Sequence, residues 1–222
     1  MKNGHKKEWI RLSVGFLGAL AGLAALVAFN DHFLMSLPLA ARTVAMFISY
    51  WLIAIIPLIL VFIEREGIKD YILDKKNVHF QVITGIALGI GMSAVFTVLP
   101  HLAGFGEYVD NGHRYSGIWQ FVFEFAYCIL AVAFSEELVF RGFIFKRIFE
   151  ISGRESVAVI GSSALFGLFH LFGGNVLQMF MTAVLGVLFC LFRSKIRSCS
   201  LLSLILAHGI YDALITVWSS VL

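Results

Sequence analysis

Seven long apolar runs, at about residues 12–29, 43–63, 81–103, 118–145, 156–172, 175–192 and 199–221, constrain this chain more than any other feature. A bilayer's hydrocarbon core takes about 20 apolar residues per spanning helix. Inside it every backbone N–H and C=O must be satisfied within the chain, which helices do and open strands do not. With 222 residues, 59% apolar and 14% charged, and a mean hydropathy of +0.89, the chain lies far from the balance of a soluble domain. The expected fold is all-α: a polytopic transmembrane helix bundle of about seven spans, one membrane domain over residues 1–222, and no soluble module.

Charge gives the orientation. The net charge of +3 is spread between apolar runs and builds no basic face, so no nucleic-acid partner is expected. If the chain alternates sides, stretches 1–11, 64–78, 141–154 and 193–197 share one side and hold fifteen of the seventeen Lys and Arg. Positive loops resist translocation, which places the N-terminus in the cytoplasm and the C-terminus outside, an arrangement that suits a bacterial plasma membrane. Lys2, Lys6, Lys7 and Arg11 precede the first run as in a signal peptide, but no small-residue cleavage site follows, and a retained first helix is expected.

Other features have packing or connecting roles. Cys128, Cys190 and Cys199 show no metal-ligand spacing and read as packing residues. Gly85 and Gly89 form a small-xxx-small pair that lets a neighbouring helix approach. Gly173-Gly174-Asn175 predicts a tight turn between antiparallel neighbours. Gly104 to Gly117, with Glu107, Asp110, Asn111 and His113, reads as an external polar loop.

An ionisable group within a bilayer costs at least about 2.5 kcal/mol on insertion scales, so each one needs an explanation. Ser135-Glu136-Glu137-Leu138-Val139-Phe140-Arg141 puts two carboxylates in an apolar helix. Helical spacing pairs Glu137 with Arg141 and leaves Glu136 on another face. For this segment alone, a structural ion pair at a helix end is nearly as good a reading as a functional one. Two histidines shift that balance: His170 ends Ala164-Leu165-Phe166-Gly167-Leu168-Phe169-His170 in the fifth run, and His208 lies in the seventh with Asp212 at i+4. Glu124, about 18 Å along the helix from Glu136, is too distant to pair with it and is expected to meet another helix.

Taking Lys146, Arg154 and Arg197 as the interface, a rise of 1.5 Å per residue puts Glu136 about 15 Å deep, His208 about 16 Å and His170 about 24 Å. The first two agree, and His170 is too deep for a straight helix. Peptide hydrolysis needs an activated water, a proton for the leaving amine and donors for the oxyanion. A carboxylate, two imidazoles and a short polar side chain are suitable parts, and Glu136, His170 and His208 also make a His2Glu set for a divalent metal such as zinc. The zincin motif H-E-x-x-H is absent, as are G-x-S-x-G around Ser162 and Ser163 and a G-x-G-D partner for Tyr211-Asp212.

E-E-x-x-x-R at Glu136, Glu137 and Arg141, F-x-x-x-H at Phe166 and His170, and H-x-x-x-[N/D] at His208 and Asp212 resemble the three motifs of the CPBP intramembrane proteases. That family includes type II CAAX prenyl endopeptidases and bacteriocin-processing or self-immunity proteins of the Abi group. The resemblance covers a protease-like core at about 118–220 and implies that Glu136 is the catalytic carboxylate, that His170 shares the water, and that His208 with Asp212 forms the oxyanion site. Many members carry Asn where Asp212 stands. An anionic Asp cannot donate to an oxyanion, so here it is either protonated or orients His208. The implied activity is endopeptidase cleavage of a peptide or prenylated-protein substrate, glutamate- or metal-dependent. The competing reading is a non-proteolytic membrane regulator or bacteriocin self-immunity protein that binds a partner.

Overall fold

A computed structural model describes residues 2–64, 77–110, 112, 114, 117–172 and 174–222. Among these are eight helices: α1 (Lys2–His32), α2 (Leu39–Ser49), α3 (Leu52–Ile63), α4 (Val78–Leu102), α5 (Ile118–Ser152), α6 (Glu155–Leu171), α7 (Val176–Lys195) and α8 (Leu201–Val221). The described residues contain no strand, so the chain is all-α and polytopic. Each of the seven apolar runs is a helix or a pair of helices. Five are long and apolar enough to cross a bilayer unaided, and α2 with α3, bent by 40°, makes a sixth candidate. The run expected as a seventh span is α6, whose 17 residues are at the lower limit for a span. Asn111 and His113, most of the charged stretch 64–78, and Gly173 lie outside the described residues.

The chain divides into two compact units, Met1–Ile72 with Ser135–Arg197, and Leu73–Phe134 with Ser198–Leu222. Within the first, α1 packs on α3 through glycines. A Cβ at Gly18 would meet Ile56 Cβ at 2.5 Å, and one at Gly22 would meet Leu52 O at 2.3 Å, so larger residues would push the helices apart. The core collects Ile53, Ala54, Val139, Phe140, Phe143, Ile144, Phe166 and Phe169. Asn175 caps α7 by accepting from Gln178 N at 2.9 Å, and Gly167 lies against Met179 O, so α6 and α7 are close neighbours as the short connection predicts.

Within the second unit Gly85 and Gly89 of α4 face Ser203, Leu206, Ala207 and Ile210 of α8, the close approach their spacing predicts. Ser203 Oγ donates to Gln81 O at 2.8 Å, and Thr84 and Ser198 hydroxyls meet at 2.9 Å. Thr216 Oγ1 donates to Glu124 Oε1 at 2.5 Å, which gives Glu124 the helix partner expected of it. All three cysteines are buried thiols. Many large apolar side chains point outward, Phe62, Ile63, Ile83 and Phe180 among them, as lipid-facing surface requires.

Candidate active site

Two short π-helical stretches, Cys128–Ala133 and Leu138–Ile144, flank the α-helical turn Phe134–Glu137 that carries both carboxylates. Wider π turns recur where a helix re-aims functional side chains. Glu137 and Arg141 pair as their spacing predicts, Nη1 to Oε1 at 2.9 Å, and both are buried. Glu136, 2% exposed, accepts at Oε1 from the Tyr50 hydroxyl at 2.5 Å, and its Oε2 lies 3.9 Å from His170 Nε2.

Glu136 and His170 therefore lie at one level, in contrast to the depths expected from the sequence. Lys146 does not mark the end of its helix: α5 continues to Ser152, and the chain reverses at Gly153, which is left-handed (φ 66°) and donates its N–H to Phe149 O at 2.7 Å. This is a glycine C-cap. Residue 136 lies 17 positions before Gly153 and residue 170 lies 17 after it. Two antiparallel helices hinged there bring equidistant residues to one level.

His170 Nδ1 lies 2.9 Å from Phe166 O. A carbonyl only accepts, so Nδ1 carries a proton toward it, and Nε2 is the ring nitrogen that faces Glu136. The imidazole packs edge-on against Phe166, with centroids 4.5 Å apart. Phe166 in turn lies 5.0 Å from Phe140 and 4.0 Å from the Arg141 guanidinium carbon. The Arg141 guanidinium and the His170 imidazole thus both contact the Phe166 ring. The His170 side chain is 18% exposed against 2% for Glu136, so this edge of the pair is the accessible one.

His208 and Asp212 belong to the other unit, on α8. There Nε2 lies 3.3 Å from Asp212 Oδ2, and Gly209 seats the helix against Ile129, where a Cβ would come within 2.5 Å of its Cα.

Sequence reasoning missed two sets of polar residues. Tyr50, an aromatic within the second apolar run, carries no sequence signal that sets it apart from the other aromatic side chains. Arg147, 1% exposed, is held by Glu8 at 3.1 Å, Glu64 at 2.5 Å and Glu150 at 2.9 Å, with Arg11 also paired to Glu8 and Glu64. Carboxylates bordering apolar runs were its available signal. Among the described residues no group of three or more His, Cys, Asp and Glu is arranged to hold a metal ion. Glu136 and His170 contribute two donors from one unit.

Residues 117–214 match the family model for type II CAAX prenyl endopeptidases, Rce1-like. No curated protein and no solved structure matches the chain. The matched stretch contains Glu136, Glu137, Arg141, Phe166, His170, His208 and Asp212 in the order of the three motifs. The match covers somewhat under half of the chain and agrees with the resemblance of its three motifs to the CPBP intramembrane proteases.

Proposed function

We propose that the chain is an intramembrane endopeptidase in which Glu136 and His170 activate a water. The observation that carries this reading is the approach of buried Glu136 Oε2 to within 3.9 Å of His170 Nε2 on the accessible edge of the site. A water placed about 2.75 Å from each would subtend about 90° between them, so it can hydrogen-bond to each at once.

Glu136 accepts a proton from the water as its oxygen attacks the scissile carbonyl. The tetrahedral oxyanion then collapses as Glu136 returns the proton to the departing amine. His170, with Nδ1–H fixed on Phe166 O, holds the water. His208 is the oxyanion donor implied by the family motif, and its contact with Asp212 favours the orienting role for that carboxylate over a donating one. No step here requires a metal; a chelator arm in the same assay decides whether one assists.

The family name supplies the substrate class, a membrane-associated peptide of the prenylated CaaX type. The charge asymmetry supports a plasma-membrane, multi-pass protein with its N-terminus in a bacterial cytoplasm. The test uses the purified full chain and an internally quenched farnesylated CaaX peptide. Wild type is expected to cleave it, and Glu136→Gln or His170→Ala to lose at least about 100-fold in kcat/KM while still inserting in membranes. Full activity in Glu136→Gln would exclude this mechanism and favour the non-proteolytic regulator.

A further inference from the structure

Glu136 has a neighbour that none of the three motifs contains. Tyr50 lies well before the stretch 117–214 that matches the family, yet its hydroxyl donates to Glu136 Oε1 at 2.5 Å across 86 residues of sequence. The break between α2 and α3 sets its position. Tyr50 and Trp51 fill the joint of a pair of helices bent by 40°, and both keep right-handed helical angles. Tight i to i+3 bonds replace the regular ladder: Trp51 N donates to Ile48 O, Ile53 N to Tyr50 O and Ala54 N to Trp51 O. Pro57 follows in α3 and has no N–H to give the Ile53 carbonyl, which loosens the turn beyond the joint. A straight helix through this region would present its side chains in a different sequence of directions.

The two oxygens of Glu136 thereby become unequal. Oε1 receives the phenol, and Oε2 faces His170 Nε2 at 3.9 Å. A carboxylate's last torsion is broad and nearly two-fold, so without a fixed donor either oxygen could take either place. A hydroxyl bound to an ionised carboxylate is one of the stronger protein hydrogen bonds.

We propose that Tyr50 is a positioning residue for hydrolysis: it holds Oε1, so that Oε2 alone takes the water's proton beside His170 and returns it to the leaving amine. This rests on the hydrolytic reading above. The balance is simple. The water O–H breaks as the C–O bond forms and its proton moves to Oε2; the C–N bond then breaks as that proton moves to nitrogen. Tyr50 keeps its own proton throughout.

The experiment measures steady-state cleavage of the farnesylated CaaX peptide by four full-length proteins: wild type, Tyr50→Phe, Glu136→Asp and the double variant. Tyr50→Phe is expected to lower kcat about tenfold with KM within about twofold, the pattern of an interaction used in the chemical step. The shorter aspartate withdraws the carboxylate from the phenol, so in that background the same change should alter kcat less than about twofold. Equal losses in both backgrounds, a change in KM alone, or a kcat loss that only tracks a fall in the folded fraction on thermal unfolding would each overturn the proposal. No cleavage by wild type removes the hydrolytic reading and the role of Tyr50 with it. Cleavage that Glu136→Gln abolishes but Tyr50→Phe leaves at the wild-type kcat removes Tyr50 alone.

Discussion

Arg141 meets Glu137 through Nη1 and lies over the rings of Phe166 and Phe189 at 4.0 and 5.1 Å, while its carbonyl accepts from Arg193 at 2.9 Å. Removing one partner of such a buried pair leaves the other charge uncompensated, at about 3–5 kcal/mol. Glu137→Ala should therefore lower the thermal midpoint in detergent sharply, and Glu137→Gln with Arg141→Met should recover much of it, because an apolar replacement of both charges is often neutral. Phe166 joins this pair to His170. Phe166→Leu keeps most of the volume but loses both the cation–π contact and the edge-on packing, each about 0.5–2 kcal/mol. We expect a fall in kcat at nearly constant KM; an unchanged kcat would show that the ring does not hold the imidazole. Both contacts were foreshadowed by the i, i+4 spacing of Glu137 with Arg141 and of Phe166 with His170. Tyr50 was not, because its partner is 86 positions away and local spacing carries no information at that range.

Glycines decide the packing of the elements, and their environments differ enough to predict opposite outcomes on one helix. At Gly89 a Cβ would meet Ala207 O and Ile210 at 2.9 Å, whereas at Gly91 nothing lies within 4 Å. Gly91→Ala should be neutral or stabilise by up to about 1 kcal/mol through helix propensity. Gly89→Ala should destabilise instead. Thermal unfolding of the two variants side by side gives the sign, and a Gly89→Ala protein as stable as Gly91→Ala would contradict the close helix contact. In the loop after α4, Asp110 binds Arg114 at 2.7 Å and accepts from Gly112 N. The Arg114 hydrogen bond, followed by the Gly112 N–H, holds its carboxyl well below the usual carboxylate range. The folded value is depressed, so the contribution is complete above the ordinary carboxylate range and fades only as pH falls through that depressed value. Arg114→Ala should bring the Asp110 titration, followed by NMR, back toward ordinary acid pH; an unmoved titration would remove Arg114 as the cause.

At the scale of the whole molecule, topology is the open measurement. Reporter fusions at the N-terminus and after Leu222 should report cytoplasm and exterior respectively if α6 crosses with the other six candidates; both ends on one side would make α6 re-entrant. Composition and the seven apolar runs were enough to determine a polytopic all-α chain, because the bilayer leaves an apolar backbone no other way to satisfy its hydrogen bonds. Residue chemistry and spacing also determined the candidate set Glu136, His170, His208 and Asp212 and the pair Glu137 with Arg141, since those relations repeat every helical turn. Tertiary structure alone decided the rest. It carried α5 past Lys146 to a reversal at Gly153, which set Glu136 level with His170. It bent α2 against α3 so that Tyr50 reached Glu136, and it gathered Glu8, Glu64 and Glu150 on Arg147. These contacts depend on where helices end and how they are bent, and an apolar run records its hydropathy without recording either.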